Sequence, residues 1–272
     1  TNDDPFHNDE GTPAKPRQEM RQVANVIREM DADVVALQEV ESRGYLQQFI
    51  DTFLYDMGYN HIVHFEGNDG RGIDVAVMTR SQTSDGQPIE FIKMQSHAGL
   101  TYGAAGLLDE DLKAMGEEVD DRIFRRDCLE IDFRIGGRPL TLFVCHFKSM
   151  GPGKNGVDGR DYTMPVRRAE AKAVRHIIEQ KFGKGKTDNK RWVICGDLND
   201  YRSRVIVEGD RYSGYRFKPV HEGNSGFDSL VANGFSENLV ERRDEMDRWT
   251  LYHSRGPEEQ HLCQLDYLLA SP

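Results

Sequence analysis

The sequence predicts an α/β fold of the α+β kind, an antiparallel or mixed β-sheet covered by helices. Three observations lead there. Helical three-and-four spacing recurs between short apolar runs without the regular alternation of βαβ units. The segments "CLEIDFRI" and "LTLFVCHF", joined by "GGRP", read as a hairpin. At 272 residues and 38% hydrophobic content, the chain fits a single soluble domain spanning 1–272.

From Pro16 to Met30, apolar residues at Met20, Val23, Ile27 and Met30 mark an amphipathic helix, and "DADVVALQEVE" follows as a buried strand. Leu46, Phe49, Ile50, Phe53, Leu54 and Met57 mark a second helix closed by Gly58. Strands are expected at "HIVHF" and "IDVAVMT". The acidic, small-residue segment from Ser96 to Asp121 reads as a partly helical excursion. After the hairpin, whose second strand ends at His146, "GPGKNGVDGRD" is a glycine-rich loop. A helix through "RRAEAKAVRHIIEQKF" and a strand "RWVICGDL" follow. The stretch 202–226 is expected to be a loop, leading to a short helix near Phe227 and a strand pair around Trp249 and Leu265. No repeat, low-complexity tract or interdomain linker is evident.

Lys+Arg 35 against Asp+Glu 46 gives a net charge of -11, which disfavours wrapping of a polyanion by the whole surface. A phosphate-bearing substrate then needs a local basic patch or bound cations. Cys128, Cys145, Cys195 and Cys263 show no CxxC spacing and read as core residues, with a lean towards a reducing cytoplasm. No run is long enough for a membrane span, and the N-terminus is acidic and polar, unlike a secretory leader.

Several strands end on polar residues: Glu39 in "LQEVE", His146 in "CHFKS", Asp197 and Asn199 in "GDLND", and Asp266 in "QLDY". Strand ends hold side chains more firmly than free loops, so such convergence is one way to present an active site. Carboxylates beside an amide suit a hydrated Mg2+ or Mn2+, while a histidine and Lys148 suit a phosphate. Each residue also has an ordinary explanation. Glu39 reads equally as a solvated loop residue, His146 as a structural histidine, Lys148 as a surface charge, "GDLND" as a turn and Asp266 as a cap.

Taken in order, "DVVALQEVE", "GRGIDVAVMTR", "LTLFVCHFKSM", "RRAEAKAVRHII", "WVICGDLND" and "QLDYLLASP" resemble the endonuclease/exonuclease/phosphatase superfamily. That resemblance implies a four-layer α/β/β/α sandwich of two mixed β-sheets flanked by helices. It also implies a divalent-metal-dependent hydrolase of phosphodiester bonds, with Mg2+ or Mn2+ as cofactor. By the same resemblance Glu39 is a metal ligand and His146 contacts the scissile phosphate, and Lys148 lies close enough in sequence to assist. Asp197 orients or deprotonates the attacking water, Asn199 steadies the phosphorane oxygens, and Asp266 holds the imidazole of a later histidine. Two family motifs, an opening strand with asparagine and a closing Ser-Asp-His strand, have no counterpart. The chain is therefore expected to lack the first and last family strands and to be inactive or impaired alone.

Nucleic acid is the expected substrate, hydrolysed by a monomer. Arg71, Arg125, Arg126, Lys148, Lys154, Arg160, Arg167 and Arg168 are expected to form a local basic rim, although Arg167 and Arg168 read equally as solvated helix residues. The alternatives are a phosphatase or phosphodiesterase acting on a lipid head group or small phosphorylated metabolite, and a catalytically inactive binding module.

Overall fold

A computed structural model describes residues 15–254 and 259–272, so the N-terminal segment read as polar lies largely outside the described residues. Contacts divide the chain into two units, 15–98 with 125–146, and 99–124 with 147–272.

The first unit opens with α1 (Arg17–Met30), followed by β1 (Val34–Val40), α2 (Arg43–Phe53), β2 (Tyr59–His64) and β3 (Asp74–Arg80). The buried stripe of α1 is Met20, Ala24 and Ile27, and Val23 and Met30 face solvent, so the expected stripe is rotated by one position. Strand β3 pairs antiparallel with β1 and β2. Its first six residues are buried because helices cover one face and a second sheet the other. Leu46 and Ile50 of α2 join Ala24, Ile27, Val35 and Met78 in the helix-facing core. Burying each such side chain contributes about 1.5–3 kcal/mol.

The second sheet of this unit is antiparallel: β4 (Ile89–Ser96), β5 (Cys128–Ile135) and β6 (Arg138–His146), with β5 central. Gly136 at φ 54° and Gly137 at φ 79° supply the left-handed pair that a tight hairpin turn requires, as expected from "GGRP". Strand β4 gives no clear signal in the sequence. Its apolar residues change phase, Ile89 and Phe91 and then Ile92 and Met94, where the register with β5 shifts between Phe91 and Lys93. A bulge there breaks the period-two signal.

The second unit contains α3 (Tyr102–Ala105) and α4 (Glu110–Ala114), the partly helical excursion, and α5 (Gly159–Phe182). Helix α5 starts inside the predicted glycine loop, because the Asp158 side chain caps it by accepting from the Arg160 amide. Gly159 is needed at that entry, since a Cβ there would lie 2.0 Å from the Gly151 carbonyl oxygen. Next come β7 (Trp192–Asp197), β8 (Ser203–Asp210), β9 (Gly214–His221), α6 (Asp228–Val231) and β10 (Glu237–Asn238). The unit closes with β11 (Leu251–His253), β12 (His261–Cys263) and β13 (Asp266–Ala270). Strand β13 pairs with β7 and β10, and a separate sheet runs β11-β12-β8-β9.

The expected loop over 202–226 is therefore largely a β-hairpin. Its turn carries no two-residue glycine signature. Instead the Asp210 carboxylate accepts from the Tyr212 and Ser213 amides at 2.8 and 2.7 Å, closing the chain through a side chain. Strand β9 is exposed at all positions but Val220, so it lacks the one-sided burial that makes a strand legible.

The mixed sheets with helices place the chain in the α+β class expected from its sequence. All four cysteines are free and buried, as expected of core residues. Among the described residues no helix is long and apolar enough to cross a membrane.

Candidate active site

In the first unit, Glu39 sits near the end of β1 in a left-handed conformation, φ 59°, where the register against β3 shifts between Leu37 and Val40. A non-glycine residue held there carries strain of about 1–3 kcal/mol. The bulge turns the Glu39 side chain out to solvent instead of leaving it in the ladder. His146 ends β6, a strand that packs against β1. It is 2% exposed, and burial first, then the Arg126 guanidinium, lowers its pKa to about 4. Burial thus favours the neutral ring in the ligand-free protein.

The second unit brings Asp197, Asn199 and Asp266 together at the end of one sheet. Gly196, at φ 133°, adopts a backbone conformation that favours glycine just before Asp197. The Asp197 carboxylate accepts from the Asn199 amide at 2.7 Å, and Asn199 is left-handed at φ 51°. Asn199 Nδ2 donates to the Phe147 carbonyl at 3.0 Å, and the Phe147 amide donates to the Asp197 carbonyl at 2.9 Å. Asp266 is the direct cross-strand partner of Asp197. Its amide turns away to Thr250 Oγ1, so the two aspartates form a pair without mutual backbone bonds, the closer of the two antiparallel spacings. Two carboxylates placed opposite each other repel, and a cation between them offsets that repulsion. Lys148 follows Phe147; its amide donates to Glu170 Oε2 at 2.7 Å, and its side chain is half-buried.

Beneath these residues lies a buried ion cluster that sequence reasoning missed. Asp200, fully buried, accepts from Arg160 Nε at 2.6 Å, Arg167 Nε at 3.0 Å, the Gly226 amide at 2.8 Å and the Tyr201 amide at 2.9 Å. Arg167 also donates to the Lys148 carbonyl at 3.4 Å. One helix thus ties the segment after β6 to the segment after β7. A signal existed in the sequence, because Arg167 falls on the stripe of Met164, Ala171 and Val174 that α5 buries. Gly226 admits the cluster: a Cβ there would stand 2.6 Å from Arg167 Cβ.

The same contacts correct the predicted basic rim. Arg160 and Arg167 are buried around Asp200, neither rim cations nor solvated helix residues. Arg126 is buried against Asp69 at 2.9 Å, and Arg71 pairs with that same carboxylate at 2.8 Å. The Arg71 hydrogen bond, with Arg126 contributing less, lowers the Asp69 pKa to about 2. Arg168 faces Asp111 at 3.6 Å, and Lys154, exposed, lies over the Tyr162 ring at 5.6 Å.

Among the described residues no group of three or more His, Cys, Asp or Glu side chains is arranged to hold a metal. An enclosed all-protein cage is therefore not what these residues offer. A solvent-facing Glu39 fits the different habit of Mg2+, which keeps several waters and takes one or two carboxylates plus substrate phosphate.

A sequence profile described as the endonuclease/exonuclease/phosphatase family matches residues 7–272. No curated protein matches the chain. Among solved structures, an endonuclease/exonuclease/phosphatase family protein from Bacteroides thetaiotaomicron is 13% identical, with 94% of this chain and 74% of that chain covered and a TM-score of 0.56. The human Nocturnin catalytic domain with bound sulfate is also 13% identical, with 94% and 76% covered and a TM-score of 0.51. TDP2 from D. rerio, complexed with single strand DNA product, is 16% identical, with 93% and 76% covered and a TM-score of 0.51. At these identities the likeness is one of fold, the α+β arrangement of mixed sheets and helices.

Proposed function

The chain belongs to the endonuclease/exonuclease/phosphatase family, whose members are hydrolases acting on phosphoester bonds, and we propose that it hydrolyses phosphodiester bonds of nucleic acid with a divalent metal as cofactor. The observation that carries this reading is the locked end of β7, where Asp197 and Asn199 are fixed to one another and to Phe147, with Asp266 opposite.

The family resemblance gives each residue a task, Asp197, Asn199, Lys148 and Asp266 in one unit and His146 and Glu39 in the other. Asp197 accepts the proton of the attacking water as the new P–O bond forms and the ester P–O bond breaks, the leaving oxygen departing as an alkoxide that takes a proton from solvent. Asn199 commits one amide hydrogen to Phe147, and the second donates to a non-bridging oxygen. By the family resemblance His146, neutral when no ligand is bound, would donate an N–H to a phosphate, and Lys148 would add a positive charge. Asp266 offers a carboxylate acceptor for a cationic or hydrogen-bonding partner. Glu39 would hold Mg2+ or Mn2+, which when bound supplies positive charge to the phosphoryl oxygens. TDP2 from D. rerio, a neighbour in fold, is complexed with a single strand DNA product, in keeping with a nucleic-acid substrate.

Hydrolysis of bis(p-nitrophenyl) phosphate and of plasmid DNA by the full-length protein tests the reading. Magnesium-dependent turnover is expected, reduced about 10²–10⁴-fold in Asp197→Asn with unchanged urea unfolding. Retained turnover in that variant, or none in the wild type with either metal, would overturn it.

A further inference from the structure

The β8–β9 hairpin is ordered by a full antiparallel ladder, yet most of its length faces solvent. Tyr212 is 81% exposed, Tyr215 55% and Phe217 51%. Tyr215 lies opposite Gly209 and Phe217 opposite Val207, so both rings stand on one face of the sheet, about 7 Å apart. No side chain stands across from Tyr215, which leaves its ring open. Between Arg211 and Lys218 the sequence "RYSGYRFK" holds three aromatic rings and three cations with no carboxylate, in a chain of net charge -11. Arg211 lies over the Tyr212 ring at 4.5 Å. Arg216 and Lys218 point to the other face of this edge strand, Arg216 towards Glu208 at 3.7 Å, and their long stems can reach round its open edge.

The hairpin is rooted at the candidate site. Strand β8 begins at Ser203, four residues after Asn199, and its Arg204 pairs in register with Cys263, three residues before Asp266. Open rings at strand spacing on one face, with cations at the tip and along the open edge, suit an unpaired nucleic acid, bases stacking on the rings while the backbone follows the edge. A strand-adding peptide fits poorly, because Pro219 lacks an N–H and Arg216 and Lys218 guard the edge. Membrane insertion fits poorly as well, because the tip from Asp210 to Ser213 is a polar hydrogen-bonded turn.

We propose that β8–β9 is a guide for single-stranded nucleic acid, with Tyr212, Tyr215 and Phe217 as stacking platforms and Arg211, Arg216 and Lys218 as phosphate contacts. The strand runs along the hairpin towards the Asp197 end of β7. This inference rests on the phosphodiesterase reading above, whose test is separable from it.

Fluorescence anisotropy of a labelled oligothymidylate, with EDTA present to prevent turnover, measures binding. Tyr215→Ala with Phe217→Ala should weaken it at least about tenfold. Arg216→Gln with Lys218→Gln should weaken it and lower the slope of log K against log salt by about 1.4. Neither pair should alter urea unfolding or the hydrolysis of bis(p-nitrophenyl) phosphate, a substrate too small to reach the hairpin. Wild-type affinity in both pairs, with that hydrolysis intact, overturns the guide and spares the phosphodiesterase. No hydrolysis of any phosphodiester by the wild type, with oligonucleotide binding still lost in the variants, overturns the phosphodiesterase and leaves the binding surface. Cosedimentation with phosphatidylserine vesicles, or self-association in the centrifuge, that depends on Tyr215 and Phe217 while oligonucleotide binding does not, overturns the guide in favour of a membrane or a second copy.

Discussion

The end of β7 and the β8–β9 hairpin are separated by only a few residues and are built in opposite ways. From Asp197 to Asp200 nearly every polar atom is committed: Asn199 to Phe147, Asp200 to two guanidinium groups and two amides, with Leu198 fully buried between them. From Arg211 to Lys218 the backbone is paired but the side chains are open to water. The contrast separates two demands on the phosphodiesterase proposed above. Bond breaking needs groups held within fractions of an ångström, whereas gripping a variable strand needs surfaces that tolerate many bases.

The strongest way to break this contrast is to unlock its rigid side. Arg167→Met leaves the fully buried Asp200 with half of its charge compensation, and urea unfolding should show a loss of about 3–5 kcal/mol. The double variant Arg167→Met with Asp200→Leu should lose less than the two single losses combined, since the stranded charge is gone. Strict additivity would mean that the cluster is not one unit.

A second effect concerns His146. Its folded pKa is lowered from 6.5 to about 4, by burial first and Arg126 second. Between these values the unfolded chain binds more protons than the folded one, so the contribution is complete above about pH 6.5 and is lost as the pH falls towards 4. The loss should approach about 3 kcal/mol, read as the difference between the wild type and His146→Gln in urea unfolding across that range. Parallel profiles for the two proteins would contradict a buried neutral ring.

On the open side the expected effect on stability is the smallest. Tyr212→Ser and Phe217→Ser replace exposed rings and should change unfolding by no more than about 0.5 kcal/mol each. A loss of several kcal/mol would show that the rings are part of a core, and the contrast would collapse.

The legible parts of the molecule are those whose apolar residues follow one unbroken pattern, a single face in helix α1 and a continuous run in strand β3. Helix α1, strand β3, the β5–β6 hairpin and the run into Asp197 all place apolar residues at the period of their structure, so their elements are readable. Strand β4 is hidden by the phase change at its bulge, and β9 by exposure on both faces. Among the site residues, Asp197 stands out because a polar group ending an apolar strand is conspicuous; Asp266 opens β13 instead of ending a strand as expected, and pairing with β7 sets it opposite Asp197 with Asn199 beside them. The protonation state of His146 is not readable, since it depends on burial and on Arg126, a residue distant in sequence. The basic rim fails for a related reason: charge alone does not reveal whether an arginine faces water or, as Arg167 does, a buried carboxylate.

The four buried thiols make the chain its own clock for opening. Cys128 and Cys145 belong to the first unit, and Cys195 and Cys263 to the second. Burial pushes the Cys128 thiol well up and the Cys263 thiol to about 12, so neither presents a reactive thiolate while folded. A thiol reagent can therefore reach each pair only when its own unit opens. The order in which the pairs are labelled, resolved by mass spectrometry, then reports which unit yields first.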